Sequence, residues 1–434
     1  MAHVQAGFRS GWLLLLAGAV GLLLTTLAAA ADLSAEERKL KDHAAEHGDE
    51  ALALIERVVN VPSATENLEG VRKVGQVFRD EFDRLGFRTR WAEMPKEMNR
   101  AGHLVAEHPG TRGKRLLLIG HLDTVLEGRP FQRAGARVKG NGTLDMKGGD
   151  VVLLYALKAL EHVGALEGRQ VIVVLTGDEE DTGLPIARSR ADLREAAARS
   201  DVALAFEAQV DDTATVARRG VSSWSLRVRG IIGHSSGILR ETHGAGANYE
   251  LARILDAFRT ELSGEKNLTI NPSLILGGTK TTHDAEASRG TAEGKSNVIA
   301  GEAVAEGDLR FISPEQLERA KARMSAIAAK NLPRASATLS FEDEYPAMAP
   351  RDGNFEVLRM LDRVSQDLGL GPVKALDPGL RGAGDISFVA DQVIGLDGLG
   401  PRGEHSHAPE EELEVDSLVP QIQRAAVLMY RLTR

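Results

Sequence analysis

Through the first half of this chain, short apolar runs alternate with helical patterns, and the runs lead to histidine or carboxylate side chains. Residues 115–119 stop at Gly120-His121, residues 170–175 lead into Asp178-Glu179-Glu180, and residues 202–206 stop at Glu207. Continuous runs this short suit strands covered on both faces, the βαβ arrangement of a largely parallel sheet. In such sheets ligands gather beyond the carboxyl ends of the strands. The pattern therefore predicts one sheet edge that carries His121, Glu179, Glu180 and Glu207. Helical patterns over 33–60, 69–85 and 151–163 supply the covering layers.

The style changes near Arg218. Residues 222–228 alternate as a strand, 248–262 read as helix, and 274–276 and 303–311 are strand-like. Pro314 opens a helix to Asn331, and residues 335–341 alternate again. The order is β-α-β-β-α-β, the split βαβ unit of a small independent sandwich. The Gly/Thr/Ser-rich stretch 277–296 reads as a mobile loop within it. After Pro346 a helix over 354–368 and a strand over 392–396 resume the first style. The expected architecture is α/β. Residues 32–218 and 347–434 form a discontinuous domain with a mixed, largely parallel sheet, and residues 219–346 form an inserted α+β domain.

Composition bounds the function. With 43% hydrophobic and 26% charged residues the chain is an ordinary globular protein. Aromatic content of 4% and a net charge of −9 argue against a nucleic-acid partner. Arg9, an uncharged leucine-rich stretch over 11–31 and its Ala28-Ala29-Ala30-Ala31 exit describe a secretory signal over residues 1–31. The stretch is also long enough to serve as an uncleaved membrane anchor. Cleavage predicts an exported protein, periplasmic or secreted, with no stable membrane association. Cysteine is absent, which excludes disulfides and thiolate chemistry, so a metal must sit on His, Asp and Glu.

Those residues are present in a telling order. In Gly120-His121-Leu122-Asp123 the histidine stands at a strand end, and Asp123 can accept its other ring N–H. Asp145, in Leu144-Asp145-Met146-Lys147-Gly148-Gly149, precedes a glycine pair that permits a tight turn into a helix. Glu179 and Glu180 are neighbours that point different ways, so one can bind metal while the other serves as a general base. Glu207 adds a further ligand. Two divalent ions about 3.5–4 Å apart, sharing one carboxylate, need about this many ligands.

The combination resembles the di-zinc exopeptidase and aminoacylase family over residues 50–430. The likeness is to its glutamate carboxypeptidase, acetylornithine deacetylase and succinyl-diaminopimelate desuccinylase types, above all the first. The resemblance implies a catalytic domain with an inserted lid through which the chain forms a homodimer. It implies that His121 binds one ion, Asp145 bridges two, Glu180 is a ligand, and Glu207 shares the metal of His121. Asp123 orients His121, and Glu179 is the base. The last ligand lies in His405-Ser406-His407-Ala408-Pro409-Glu410-Glu411, where the register favours His407 and leaves His405 as the alternative. The ions implied are zinc, with cobalt or manganese as alternatives. In Gly233-His234-Ser235-Ser236, His234 resembles the lid histidine that reaches the partner subunit's site and stabilises the oxyanion. Asn297 and Arg310 resemble residues that bind the substrate's free carboxylate, a task for which a planar guanidinium is suited.

The implied reaction is hydrolysis of the amide next to a C-terminal amino acid, in a small peptide or an N-acyl amino acid. An aminopeptidase or dipeptidase on the same ions is the first alternative. A non-catalytic peptide-binding protein of the cell envelope is the second.

Overall fold

The computed structural model describes residues 33–285 and 287–434, so the expected signal over residues 1–31 lies outside the described part. The chain opens with α1 (Ala35–Glu46), α2 (Gly48–Val59) and α3 (Leu68–Arg84). The helix expected over 33–60 is two helices, because the backbone leaves the helical region at His47. Ser34 caps α1 reciprocally: its hydroxyl accepts from Glu37 N–H, and the Glu37 carboxylate accepts from Ser34 N–H. Such a box is worth about 1 kcal/mol.

Strands β1 (Arg88–Ala92), β2 (His103–His108), β3 (Leu116–His121), β4 (Gln132–Ala134) and β5 (Arg137–Lys139) follow. Then come α4 (Lys147–His162), β6 (Val171–Thr176), α5 (Ile186–Ser189), α6 (Ala191–Ala198), β7 (Val202–Ala205) and β8 (Thr213–Ala214). The next segment holds β9 (Gly220–Arg229), α7 (Gly246–Leu262), β10 (Thr269–Gly278), β11 (Lys280–Asp284), β12 (Arg289–Glu293), β13 (Glu302–Phe311), α8 (Pro314–Ala329) and β14 (Ser336–Tyr345). The chain closes with α9 (Asp352–Asp367), β15 (Lys374–Ala375), β16 (Ile394–Leu396), β17 (Gly403–Glu404), β18 (Glu412–Glu414) and α10 (Val415–Leu432).

The main sheet runs β1-β2-β6-β3-β7-β16. Its last four strands are mutually parallel, and β1 and β2 are antiparallel, so the sheet is mixed and largely parallel. Alternate residues of β3 enter different cores. Leu116 and Leu118 pack with α2, α4 and α10, whereas Leu117 and Ile119 pack with α6. Covering both faces is what turns the period-two alternation into a continuous apolar run. Helix α4 is buried from Lys147 to Leu157 because α1, α2 and α10 pack around it on the sheet.

The second sheet, β10-β13-β9-β14, is wholly antiparallel and carries α7 and α8 around Trp224, Phe258 and Met324. It is the lid. Here one face is covered, and Trp224, Leu226 and Val228 alternate inward with exposed or half-buried residues. The chain enters and leaves this sheet side by side, where Arg218 and Met348 exchange two backbone hydrogen bonds of 3.0 Å. The stretch 277–296 is not a loop. It forms an antiparallel hairpin, with β11 paired to β12 from Lys280↔Glu293 to Asp284↔Arg289. Its residues are polar and largely exposed, so no apolar alternation marks these strands.

Candidate metal centre

Three strand ends and one helix start converge. β3 ends at His121, the turn after β6 carries Glu179 and Glu180, Glu207 follows β7, and Asp145 stands two residues before the first residue of α4. Glycine makes the approach possible. A Cβ on Gly149 would lie 1.9 Å from the Phe206 carbonyl, so only glycine lets the first turn of α4 press against the end of β7. That contact draws Asp145 towards Glu207.

Asp145 lies between two histidines. One carboxylate oxygen is 3.2 Å from His121 Nε2 and the other 3.1 Å from His407 Nε2. His407 Nε2 is also 3.1 Å from Glu180. The ligand atoms of His121, Asp145 and Glu207 lie within 4.8 Å of one another, and so do those of Asp145, Glu180 and His407. His121, Glu179 and Glu180 form an overlapping group. One carboxylate shared by two triads is the arrangement a bridged pair of divalent ions requires. The residues fit such ions chemically. All donors are imidazole nitrogen or carboxylate oxygen, and Glu180 Oε1 is buried without a hydrogen-bond partner.

Among protein atoms alone, the histidines supply the positive charge. Hydrogen bonds to Asp145 and Glu180 push His407 up to about 11. Burial opposes a charged His121, yet contacts with Asp123 and Asp145 hold it well above the usual range. Burial also opposes ionised Asp145, but the two histidines hold it far below the carboxylate range. Burial raises Glu207 to about 7, with Asp145 adding to the effect and Arg218 opposing it.

Asp123 faces His121 with two groups. His121 Nδ1 is 3.0 Å from the Asp123 carbonyl and 3.5 Å from its carboxylate. The carboxylate also accepts from the N–H groups of Glu179 and Glu180, each at 3.1 Å, and from the Thr65 hydroxyl at 2.7 Å. Asp123 thus meets His121 through its main chain and, at longer range, its carboxylate, and the carboxylate also ties the Glu179-Glu180 turn to β3. The Glu179 carboxylate makes no hydrogen bond among the described residues. Burial raises it well above the usual range; Glu207, Asp385 and Glu180 add to the effect, while His121 opposes it.

His405 lies outside the cluster, exposed and 3.6 Å from Glu404. The lid residues lie outside it as well. His234 and Asn297 come together: Ser235 N–H donates to the Asn297 carbonyl at 2.9 Å, and His234 bridges to Val298. Arg310 lies towards the other end of β13, opposite Val221. The strand between Glu302 and Arg310 spans about 26 Å at the usual rise. One chain therefore cannot bring Asn297 and Arg310 to the same carboxylate.

Several contributors escape the sequence reading. The Glu411 carboxylate accepts from the N–H groups of Gly142, Leu144 and Asp145 at 2.8–3.0 Å, binding the His407 segment to the Asp145 turn. Arg190 pairs with Asp178 at 2.5 Å and Asp385 at 2.7 Å beneath the Glu179-Glu180 turn. Arg218 pairs with Asp397 at 2.6 Å and stands 3.7 Å from Glu207. Glu411 had a local signal in the acidic pair after His407; Asp385 and Asp397 stand alone in glycine-containing segments and had none.

Residues 117–431 match the sequence profile of peptidase family M20/M25/M40. The chain belongs to this family. The M20 chain is 25% identical over 425 residues to carboxypeptidase G2 of Pseudomonas sp., covering 95% of this chain and 96% of that protein. It is 26% identical over 395 residues to succinyl-diaminopimelate desuccinylase of Nitrosospira multiformis, covering 85% and 95%. Among solved structures it resembles a Staphylococcus aureus tripeptidase, with a TM-score of 0.69 and 19% identity over 89% of this chain and 99% of that one. It also resembles the YXEP protein of Bacillus subtilis, a dinuclear metal-binding M20 peptidase, with a TM-score of 0.62 and 15% identity over 89% and 99%. The fold is that of an M20 catalytic domain with a lid. The protein is a metallohydrolase, and its chemistry is metal-dependent amide hydrolysis.

Proposed function

We propose that this M20 hydrolase cleaves the amide next to a C-terminal amino acid, in a small peptide or an N-acyl amino acid. The observation that carries the reading is Asp145, placed between His121 and His407 with one oxygen towards each. His121, Asp145 and Glu207 would hold one divalent ion, and Asp145, Glu180 and His407 the other, with zinc first and cobalt or manganese as alternatives. When bound, the ions lower the pKa of a water and polarise the scissile carbonyl. Glu179, free of protein hydrogen bonds, takes the proton of the attacking water and passes it to the leaving amine. Asp123 holds Glu179 in place through its backbone N–H. Arg310 grips the α-carboxylate with its planar fork.

His234 and Asn297 sit together on the lid, away from the cluster of their own chain. This supports a homodimer in which each lid serves the site of a second copy, His234 stabilising the oxyanion and Asn297 meeting the substrate carboxylate. β10, an edge strand of the lid sheet with no strand on its outer side among the described residues, offers a face for pairing. The leucine-rich leader and the absence of cysteine support export after signal cleavage.

Glu179→Gln tests the reading. Turnover of N-blocked dipeptides should fall about 10²–10⁴-fold while the metal content per chain is unchanged. Normal turnover in that variant would remove Glu179 from the mechanism. Hydrolysis of C-amidated but not N-blocked dipeptides would select the aminopeptidase alternative instead.

A further inference from the structure

The carboxylate of Glu179, the proposed general base, makes no hydrogen bond among the described residues, so its aim depends on how its main chain is held. That main chain is anchored on both sides. The Glu179 N–H donates to the Asp123 carboxylate at 3.1 Å, and the Glu179 carbonyl accepts from the Tyr345 hydroxyl at 3.0 Å. Asp123 follows β3 in the main sheet. Tyr345 is the last residue of β14, the strand by which the chain leaves the lid sheet.

Tyr345 has its backbone in one sheet and its side chain in the core of the other. Earlier residues of β14, Leu339 and Phe341, pack into the lid core around Trp224 and Phe258. Tyr345 packs instead against the core of the main sheet, with its ring 5.1 Å from that of Phe388. The pairing of β14 with β9 shifts register between Asp343 and Tyr345, an irregularity of the kind that re-aims a side chain. The incoming strand closes on the same point. A Cβ on Gly220, the first residue of β9, would lie 2.7 Å from the Tyr345 carbonyl. Tyr345 thus stands where both connections of the lid meet.

The hydrogen bonds around Tyr345 have a fixed direction. A carbonyl cannot donate, so the Tyr345 proton goes to Glu179, and the Thr182 hydroxyl, 2.5 Å away, must donate to the Tyr345 oxygen. Thr182 in turn accepts from Arg190 Nη2 at 3.1 Å, and Arg190 is held by Asp178 and Asp385. Donors aligned head to tail strengthen one another. Packing on Phe388 needs only the tyrosine ring; the bond to Glu179 needs the hydroxyl.

We propose that Tyr345 is a positioning residue for the hydrolysis: from the end of the lid strand it fixes the main chain of Glu179, and so the place from which the base takes the proton. This rests on the reading of Glu179 as the base.

The test uses the zinc-loaded full chain and an N-blocked dipeptide that the parent cleaves. Tyr345→Phe keeps the ring and removes the hydroxyl. Its kcat should fall about 10- to 100-fold, the cost of misplacing a catalytic group by about 1 Å, while KM and metal content stay at the parent values. Thr182→Val leaves Tyr345 without its donor and should lower kcat about 3- to 10-fold. It carries the same readouts should Tyr345→Phe fail to fold. A double-mutant cycle separates positioning from a general loss of structure. In a Glu179→Gln background there is no base to place, so adding Tyr345→Phe should leave the residual turnover nearly unchanged. An equal further fall in that background, a raised KM with kcat unchanged, or parent turnover in Tyr345→Phe each overturns the positioning role and leaves Glu179 as the base. Parent turnover in Glu179→Gln removes the base itself, and the positioning role with it.

Discussion

Asp145 can meet both histidines only if the turn that carries it is held, and Glu411 does this with three backbone N–H groups. Burial raises the Glu411 carboxyl to about 7 in spite of those donors. Glu411→Ala should weaken metal binding about 10- to 100-fold, the usual cost of losing a group that orients a ligand. Competition with a chromogenic chelator measures it. A second consequence concerns His407, pushed up to about 11 by Asp145 and Glu180. A metal needs the neutral ring, so metal uptake at neutral pH should release protons, and affinity should fall as the pH is lowered. Calorimetry in buffers of different ionisation heat reads the proton count, and a heat independent of buffer contradicts this account. The raised value also means that, without metal, the stability His407 contributes is fully present below about 6.5 and is lost as pH rises through its folded value.

Helix ends carry their own pH dependence. At the end of α1 the His43 ring stacks on His47 at 4.0 Å and lies 4.7 Å from His162, at the end of α4. Burial lowers His43 to about 4, with His47, His162 and Lys158 adding to the effect. The folded state therefore resists a proton that the unfolded chain accepts from about pH 6.5 downwards. Stability should fall between pH 6.5 and pH 4 and level off below that as the folded state also protonates. His43→Phe should flatten this part of the curve of melting temperature against pH; an unchanged slope would place the acid sensitivity elsewhere.

Across the whole molecule, the lid separates His234 from the cluster of its own chain, so the proposed homodimer would be open to complementation. In that dimer, mixed Glu179→Gln and His234→Ala chains would form heterodimers in which one site has both Glu179 and a partner lid histidine. If subunits exchange freely, activity should return to about one quarter of the parent level, although each variant alone is inactive. No recovery after verified exchange would place the role of His234, if any, within its own chain. Metal bound to the folded state alone should also raise the melting temperature, and a chelator should lower it.

Much of the architecture was legible because its signals are local. The apolar runs of β3, β6 and β7, the glycine pair opening α4 and the alternation in β9 each act within a few residues. The hairpin β11–β12 was illegible because polar, exposed strands leave no apolar period. By itself the sequence determined the parallel-sheet edge, the inserted antiparallel sheet and the order of ligand-capable residues, since chain periodicity and strand ends decide these. Only the tertiary structure decided that the Asp123 carboxylate, besides facing His121, also serves the Glu179-Glu180 turn, because two N–H groups of a neighbouring strand end converge on it. The separation of Asn297 from Arg310, and the approach of Arg218 and Arg381 to Glu207, likewise come from packing between segments distant in sequence.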